Sequence, residues 1–274
     1  MRTIEQWRSL DLRRMSPDQV VGQMNLLSTL LGEHTTQSRH STGFELWRAR
    51  VDKEVLHAEC EEALWEPPSE RTTPRRCNVA RSPVLYCARH AATALDECGA
   101  VPGSVALLIK YWGEDIRVAH VIGDFHPKDI NDKPIFDREG LLAYQILREF
   151  IRSEFTKPVG SETEFLYQIS YAICQVWRSG ETYDGWAYPS VFRVNAENVA
   201  LKPSSAHSKL AIREVLRAKV VNIGHPSVRF GENIMVVDGI EIEVMEVGTV
   251  FNGRIKWKNA PKGARRIFSR QFNK

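Results

Sequence analysis

No apolar run in the chain approaches the roughly 18 residues that a membrane-spanning helix needs, and the opening residues, Met1-Arg2-Thr3-Ile4-Glu5-Gln6, hold no apolar signal core. Cysteine is also scarce. Cys60, Cys77, Cys87, Cys98 and Cys174 are odd in number, irregularly spaced and free of any CxxC, which argues against a disulfide framework and a four-thiolate zinc site. Charge of one sign is not in excess: 37 Lys and Arg against 34 Asp and Glu leave a net +3 over 274 residues, too little to make nucleic acid the default partner. The signatures GxGxxG, GxxxxGK[ST], GxSxG and HExxH are missing. His57-Ala58-Glu59 copies the first half of a zinc deaminase signature, but the PCxxC half is lacking, since Pro74 and Cys77 are wrongly spaced and have no second thiolate. The eight histidines show no pairing at ligand spacing, so no metal is expected. These absences leave a soluble, cytoplasmic protein of ordinary globular composition, with no membrane partner.

What is present is a mixture of both secondary-structure periods. Residues 16–31 carry the clearest helix: Ser16 can cap it, Pro17 suits its first turn, and Gln19 completes a capping-box spacing. Val20, Met24, Leu27 and Leu31 fall on one face, and Gly32 ends it. The polar stretch 33–42 reads as a linker. Short strands are predicted at 44–49, 84–87, 105–111 and 116–122, with a short helix at 90–97 and a proline-marked loop near Pro67, Pro68 and Pro74. Two amphipathic helices follow, at 138–155 with Tyr144, Leu147 and Ile151 on one face, and at 162–178 with Phe165, Ile169, Ile173 and Trp177. Gly180 and Asp184-Gly185 mark a turn into residues 186–188. From about 213 the pattern is strand-rich, with a hairpin signal at Asp238-Gly239 between 234–237 and 240–244. The class is α+β, not alternating βαβ. Three parts are expected: a helical appendage and linker at 1–42, a core at 43–212, and a basic extension at 213–274.

Residues 253–274 hold eight Lys and Arg, no acid, and the aromatics Trp257, Phe268 and Phe272. Nucleic acid or an acidic partner is one reading of that stretch. A basic surface strand with a frayed tail is the plainer one.

The strongest signal is a series of short blocks in order. Phe44-Glu45-Leu46-Trp47-Arg48 precedes Leu64-Trp65-Glu66-Pro67-Pro68, then Arg76-Cys77-Asn78, Pro83-Val84-Leu85-Tyr86 and Thr93-Ala94-Leu95-Asp96-Glu97. Later come Tyr183-Asp184-Gly185-Trp186-Ala187-Tyr188-Pro189-Ser190 and Asn198-Val199-Ala200-Leu201. Together, across roughly residues 44–203, they resemble the RES domain family, named for its Arg, Glu and Ser. Arg75 stands where that family usually has Gly. The family's compact toxins lack much of the N-terminal helix and most of the region after 203.

The resemblance implies an ADP-ribosyltransferase-like mixed β core with flanking helices. It also implies an enzyme that consumes NAD+ as substrate rather than cofactor, releasing nicotinamide by hydrolysis or by phosphorolysis with inorganic phosphate as co-substrate. Several members are toxins, so an antitoxin protein is an expected partner, and a homo-oligomer is compatible with the helical appendage. ADP-ribosyl transfer to a macromolecule and a non-catalytic binding module are the alternatives. The residue types suit the reaction. Nicotinamide leaves as a neutral molecule, so the site must stabilise an oxocarbenium-like ribose. A fixed carboxylate does this electrostatically, and Glu97 is the candidate. Arg48 and Arg76 suit pyrophosphate or an attacking phosphate, because a guanidinium grips two oxygens at once. Tyr86 can stack on nicotinamide, and Ser190 can bond the ribose or orient Glu97. Asn78 and Tyr188 complete the set.

Overall fold

Period-two runs of apolar side chains become strands that share one sheet. The computed structural model describes residues 2–25, 37–40, 43–53, 57–121, 137–176, 183–193, 195–224, 227–230, 233–236 and 238–270. Helices α1 (Arg2–Arg8) and α2 (Pro17–Met24) come first. Strands β1 (Gln37–His40) and β2 (Phe44–Arg50) lead through 3-10 turns at Glu61–Leu64 and Ser69–Arg71 to β3 (Leu85–Ala88). Helix α3 (Ala91–Glu97), β4 (Val105–Gly113) and β5 (Ile116–His120) follow. Next come α4 (Arg138–Thr156), α5 (Tyr167–Val176), β6 (Gly185–Pro189), β7 (Glu197–Leu201) and α6 (Pro203–Lys209). The remainder is strand: β8 (Leu210–Gly224), β9 (Ser227–Phe230), β10 (Asn233–Val236), β11 (Gly239–Phe251), β12 (Arg254–Asn259) and β13 (Arg265–Ser269).

Among the described residues, eleven strands form one mixed sheet in the order β1-β5-β6-β7-β3-β2-β4-β8-β11-β12, with β13 also on β11; β9 and β10 pair apart from it. β5 and β6 run parallel, whereas β6 to β7, β7 to β3, β2 to β4 and β4 to β8 are antiparallel. The fold is α+β, as the sequence predicts. Strand alternation divides the core. On one face, α1, α2, α4 and α5 cover Trp186, Tyr188 and Ala200. On the same face further along, α3 covers Trp47, Ala88, Ala106, Leu108, Leu216 and Ala218. The opposite face buries Leu46, Leu85, Cys87, Leu107, Ile109, Tyr111 and Val199 beneath Leu64, Trp65 and Ala206. No helix among the described residues is long and apolar enough to cross a membrane.

The capping box at Ser16 and Gln19 forms as predicted, and Val20 and Met24 bury their stripe in the helical core with Ile169 and Ile173 of α5. Leu27, Leu31 and Gly32 of that predicted helix lie outside the described residues, as do Trp177, Gly180 and Phe272. Two expectations need correction. The polar linker contains β1, whose backbone pairs antiparallel with β5 from Gln37–Ala119 to His40–Ile116; polarity does not bar an edge strand, because the ladder uses backbone groups. The hairpin at Asp238-Gly239 does not form. β10 pairs with β9, and β11 pairs with β8 so that Ile240 meets Ile223 and Ile242 meets Val220. The basic C-terminal stretch forms strands, β12 and β13 on β11, as the plainer reading has it, and residues 271–274 of its expected frayed tail lie outside the described residues. The expected boundary between 212 and 213 falls inside β8, which pairs with both β4 and β11.

Asp184 shows how a motif residue can serve the fold. Its Oδ2 accepts from the Arg117 amide at 2.6 Å and from Lys209 Nζ at 2.8 Å, tying β5 and α6 to the start of β6. Burial opposes its ionisation, but the Arg117 amide and the Lys209 ammonium outweigh burial and hold the carboxyl below its ordinary value. A depressed carboxyl contributes stability above its unfolded value and loses it as pH falls through the folded one. Asp184→Asn is therefore expected to cost about 2 kcal/mol near neutral pH. That gap to wild type should close as the pH drops below about 4. Denaturant midpoints across that range check both points.

Candidate active site

Helix α3 is built to lie flat. Ala91, Ala92, Ala94 and Leu95 are buried in the same cluster as Trp47, Ala88 and Leu108, and small side chains let the helix approach the strands closely. The helix ends at Glu97, followed by Gly99 at φ +70°. Two acids, Asp96 and Glu97, thus sit in its last turn, which itself holds no basic residue. The negative end of the helix dipole disfavours both, so donors must come from elsewhere.

For Glu97 they come from the residue that follows β6 and from β7. Glu97 Oε1 accepts from Ser190 Oγ at 2.5 Å and from Asn198 Nδ2 at 2.8 Å. Ser190 is aimed by its own backbone: its amide donates to the Ala196 carbonyl at 2.8 Å, and its Oγ accepts from the Phe192 amide at 3.1 Å. Both bonds to Glu97 fall on one oxygen. Among the described residues no donor bonds Oε2. The predicted pairing of Glu97 with Ser190 is present in the geometry. Asn198, which sequence reasoning quoted in its block but gave no role, proves a second partner of Glu97.

Beside this pair stands a wall of aromatic rings. Tyr86 donates to Asn78 Oδ1 at 2.8 Å and accepts from the Cys77 amide at 3.0 Å. Asn78 in turn donates to the carbonyls of Thr73 and Val79 at 3.0 and 2.7 Å. The Tyr86 ring meets Tyr188 edge-on at 6.5 Å, and Tyr188 packs on Phe155 of α4 at 5.7 Å. Burial pushes the phenols of Tyr86 and Tyr188 well above their ordinary value; Cys77 adds to both, and the Glu97 charge adds to the shift at Tyr188. Both phenols stay protonated near neutral pH, rigid surfaces rather than acids or bases. The segment is a tight turn in which Arg75 and Asn78 exchange backbone hydrogen bonds at 3.0 and 3.4 Å. Arg75 is not among the residues with positive φ, so the turn tolerates it in place of Gly.

The two arginines expected to meet pyrophosphate or an attacking phosphate are held by different parts of the fold. Arg76 is buried, with Nη1 donating to the Glu154 carbonyl at 3.4 Å and Nη2 to the Lys157 carbonyl at 2.9 Å. It satisfies the carbonyl end of α4 and stacks over Tyr167 at 5.3 Å, reaching the Tyr188 side of the wall rather than Glu97. Arg48 lies where β2 and β3 separate after sharing the Trp47–Ala88 pair. Its Nη1 donates to the Tyr86 carbonyl at 3.4 Å, and its Nε is buried with no partner. Its charge eases the burial-driven rise of the Cys87 and Tyr111 groups on the face opposite α3. The structure therefore brings Glu97, Ser190 and Asn198 together, and Tyr86, Asn78 and Tyr188 beside them, while Arg48 touches this group through the Tyr86 carbonyl from the sheet face opposite α3.

The comparisons with known proteins can be set on this geometry. No curated protein matches the chain. Among solved structures, the chain is similar to one in the crystal structure of the M. tuberculosis MbcT-MbcA toxin-antitoxin complex, at 11% identity and a TM-score of 0.37, covering 70% of this chain and 91% of that one. A sequence model of the RES domain matches residues 45–221, a span that holds Arg48, Arg76, Tyr86, Glu97, Ser190 and Asn198. The chain belongs to the RES domain family, whose toxin members are enzymes acting on NAD+.

Proposed function

We propose that this protein cleaves the bond between nicotinamide and ribose in NAD+. The observation that carries the reading is the Glu97 carboxylate, with Oε1 held by Ser190 and Asn198 and no donor on Oε2 among the described residues. When the bond breaks, its electron pair leaves with the nicotinamide nitrogen, which becomes neutral, and positive charge moves to the ribose. A carboxylate already oriented needs no reorganisation to meet that charge, and such preorganisation is the largest lever available to a site of this kind. Water or phosphate then attacks the ribose carbon, giving ADP-ribose or its phosphate ester. Tyr86 and Tyr188 offer aromatic surface to the nicotinamide ring. Arg48, whose Nη1 bonds the Tyr86 carbonyl, takes the pyrophosphate or the attacking phosphate. In a toxin reading, an antitoxin protein covers this site in the resting cell.

NAD+ labelled on its adenylate half tests the reading. Purified protein is expected to release nicotinamide, with the label in ADP-ribose without phosphate or in a phosphorylated ADP-ribose with it. Label on protein or nucleic acid would make the chain a macromolecular ADP-ribosyltransferase instead, and intact NAD+ under both conditions would reject the reading. Arg48→Ala separates binding from chemistry. The pyrophosphate is charged before reaction as well as during it, so loss of charge-assisted bonds should raise KM for NAD+ about tenfold. Steady-state kinetics on the folded variant measure it.

A further inference from the structure

Asp96, the neighbour of Glu97, is held as tightly as Glu97 but from farther away. Its Oδ2 lies 2.5 Å from Arg193 Nε and its Oδ1 2.6 Å from Arg270 Nη2. The three side chains are largely shielded, at 10% exposure for Asp96, 16% for Arg193 and 12% for Arg270. Arg193 belongs to the connection that also carries Ser190, so one carboxylate joins the Glu97 helix to the Ser190 loop. Arg270 comes from the strand layer beyond residue 221, where the family match ends. That layer is firmly seated. β13 pairs with β11 from Gly239–Ser269 to Glu243–Arg265. Phe268 meets Trp47, in the cluster beneath α3, at 5.5 Å. The Arg270 amide donates to the Asp238 carbonyl at 2.7 Å.

We propose that Arg270 is a positioning residue for Glu97. The C-terminal strand layer, through the Arg270–Asp96–Arg193 clamp, sets the height and rotation of the last turn of α3 and so the aim of the Glu97 carboxylate. The physical need is clear from the helix: adjacent acids at the negative end of a dipole repel it and each other, and directional charge-assisted bonds are what hold such a turn in one geometry. The RES domain match ends at residue 221, before this layer. Here the extension is therefore a working part of the site and not an appendage. The inference rests on the reading of Glu97 as the charge stabiliser.

The test uses the full chain and three variants. Arg270→Ala is expected to lower kcat for nicotinamide release about tenfold, because small misplacement of a catalytic group is costly, with KM for NAD+ within about twofold of wild type. Arg270→Lys should recover part of the loss. Asp96→Asn, which keeps the size of the side chain and removes the charge both arginines hold, should show the same split and serves if Arg270→Ala fails to fold. Arg266→Ala is the control: it lies on β13, which Arg270 directly follows, but bonds Glu214 through both terminal nitrogens at 2.8 Å, and it should leave kcat unchanged. Hydrogen exchange supplies a readout independent of substrate, with the amides at the end of α3 exchanging faster in Arg270→Ala and not in Arg266→Ala. Unchanged exchange at α3 in folded Arg270→Ala would overturn the clamp, as would equal losses in the Arg266 control. If the wild-type protein leaves NAD+ intact, the exchange arm still decides the clamp while the chemical reading falls separately.

Discussion

Gly185→Ala is expected to cost about 3 kcal/mol or more, at the upper end of what overpacking does. Alanine ordinarily stabilises a chain relative to glycine by about 0.4–1 kcal/mol, through loss of freedom in the unfolded state. Here that gain is overwhelmed. A Cβ on Gly185 would lie 2.0 Å from the Ala200 carbonyl oxygen and 2.9 Å from Leu201 Cα. Both obstacles are backbone atoms of β7, held by the ladder that pairs Gly185 with Leu201 and Trp186 with Ala200, so no side chain can swing aside. The strands must part. Because Ser190 follows β6 and Asn198 lies on β7, the same parting would pull both donors from Glu97. Denaturant unfolding of the variant measures the cost, and a midpoint within about 1 kcal/mol of wild type would show that the close approach is relieved some other way.

The sequence signals divide by range. Strands β2 to β5 and helices α4 and α5 were legible to within a few residues, because alternation and helical periodicity are local and their apolar positions are those that end up buried. Asp184-Gly185 was legible as a punctuation mark, yet its reason was not. Asp184 answers to Arg117 and Lys209, and Gly185 to the backbone of Ala200. The Asp238-Gly239 signal misled for a related reason. A turn sequence says that the chain can reverse, not which strand will receive it, and the long partner for Ile240, Ile242 and Val244 was β8. Helix α1 carries too little apolar patterning to announce itself; Trp7 is its buried residue, with its Nε1 donating to the Gln23 carbonyl at 3.0 Å, and Ile4 packs beside it. In the site, ordered blocks pointed to Glu97 and Ser190, but a single chain gives no sign that Arg76 is spent on the end of α4. The clamp at Asp96 was equally invisible, since Arg193 and Arg270 meet it across 97 and 174 residues of sequence.

Glu97→Gln is the other large effect. The substitution keeps shape, and it keeps the local bonds as well: Ser190 and Asn198 both donate to Oε1, a role that the glutamine carbonyl oxygen can fill. What disappears is the negative charge. Removing one preorganised electrostatic group of this kind costs about 10²–10³ in turnover, roughly 3–4 kcal/mol. Affinity for NAD+ should change far less, because the interaction strengthens only as positive charge builds on the ribose. Ser190→Ala should fall between the two, since Asn198 still holds the carboxylate. The decisive measurement is nicotinamide release from NAD+, followed by chromatography for wild type and Glu97→Gln side by side, with NAD+ affinity determined on both folded proteins. Stoichiometric release by wild type, a loss of about 10²–10³ in the variant and near-equal affinities are expected. Equal rates for the two proteins, or NAD+ left intact by wild type, would contradict the assignment of Glu97.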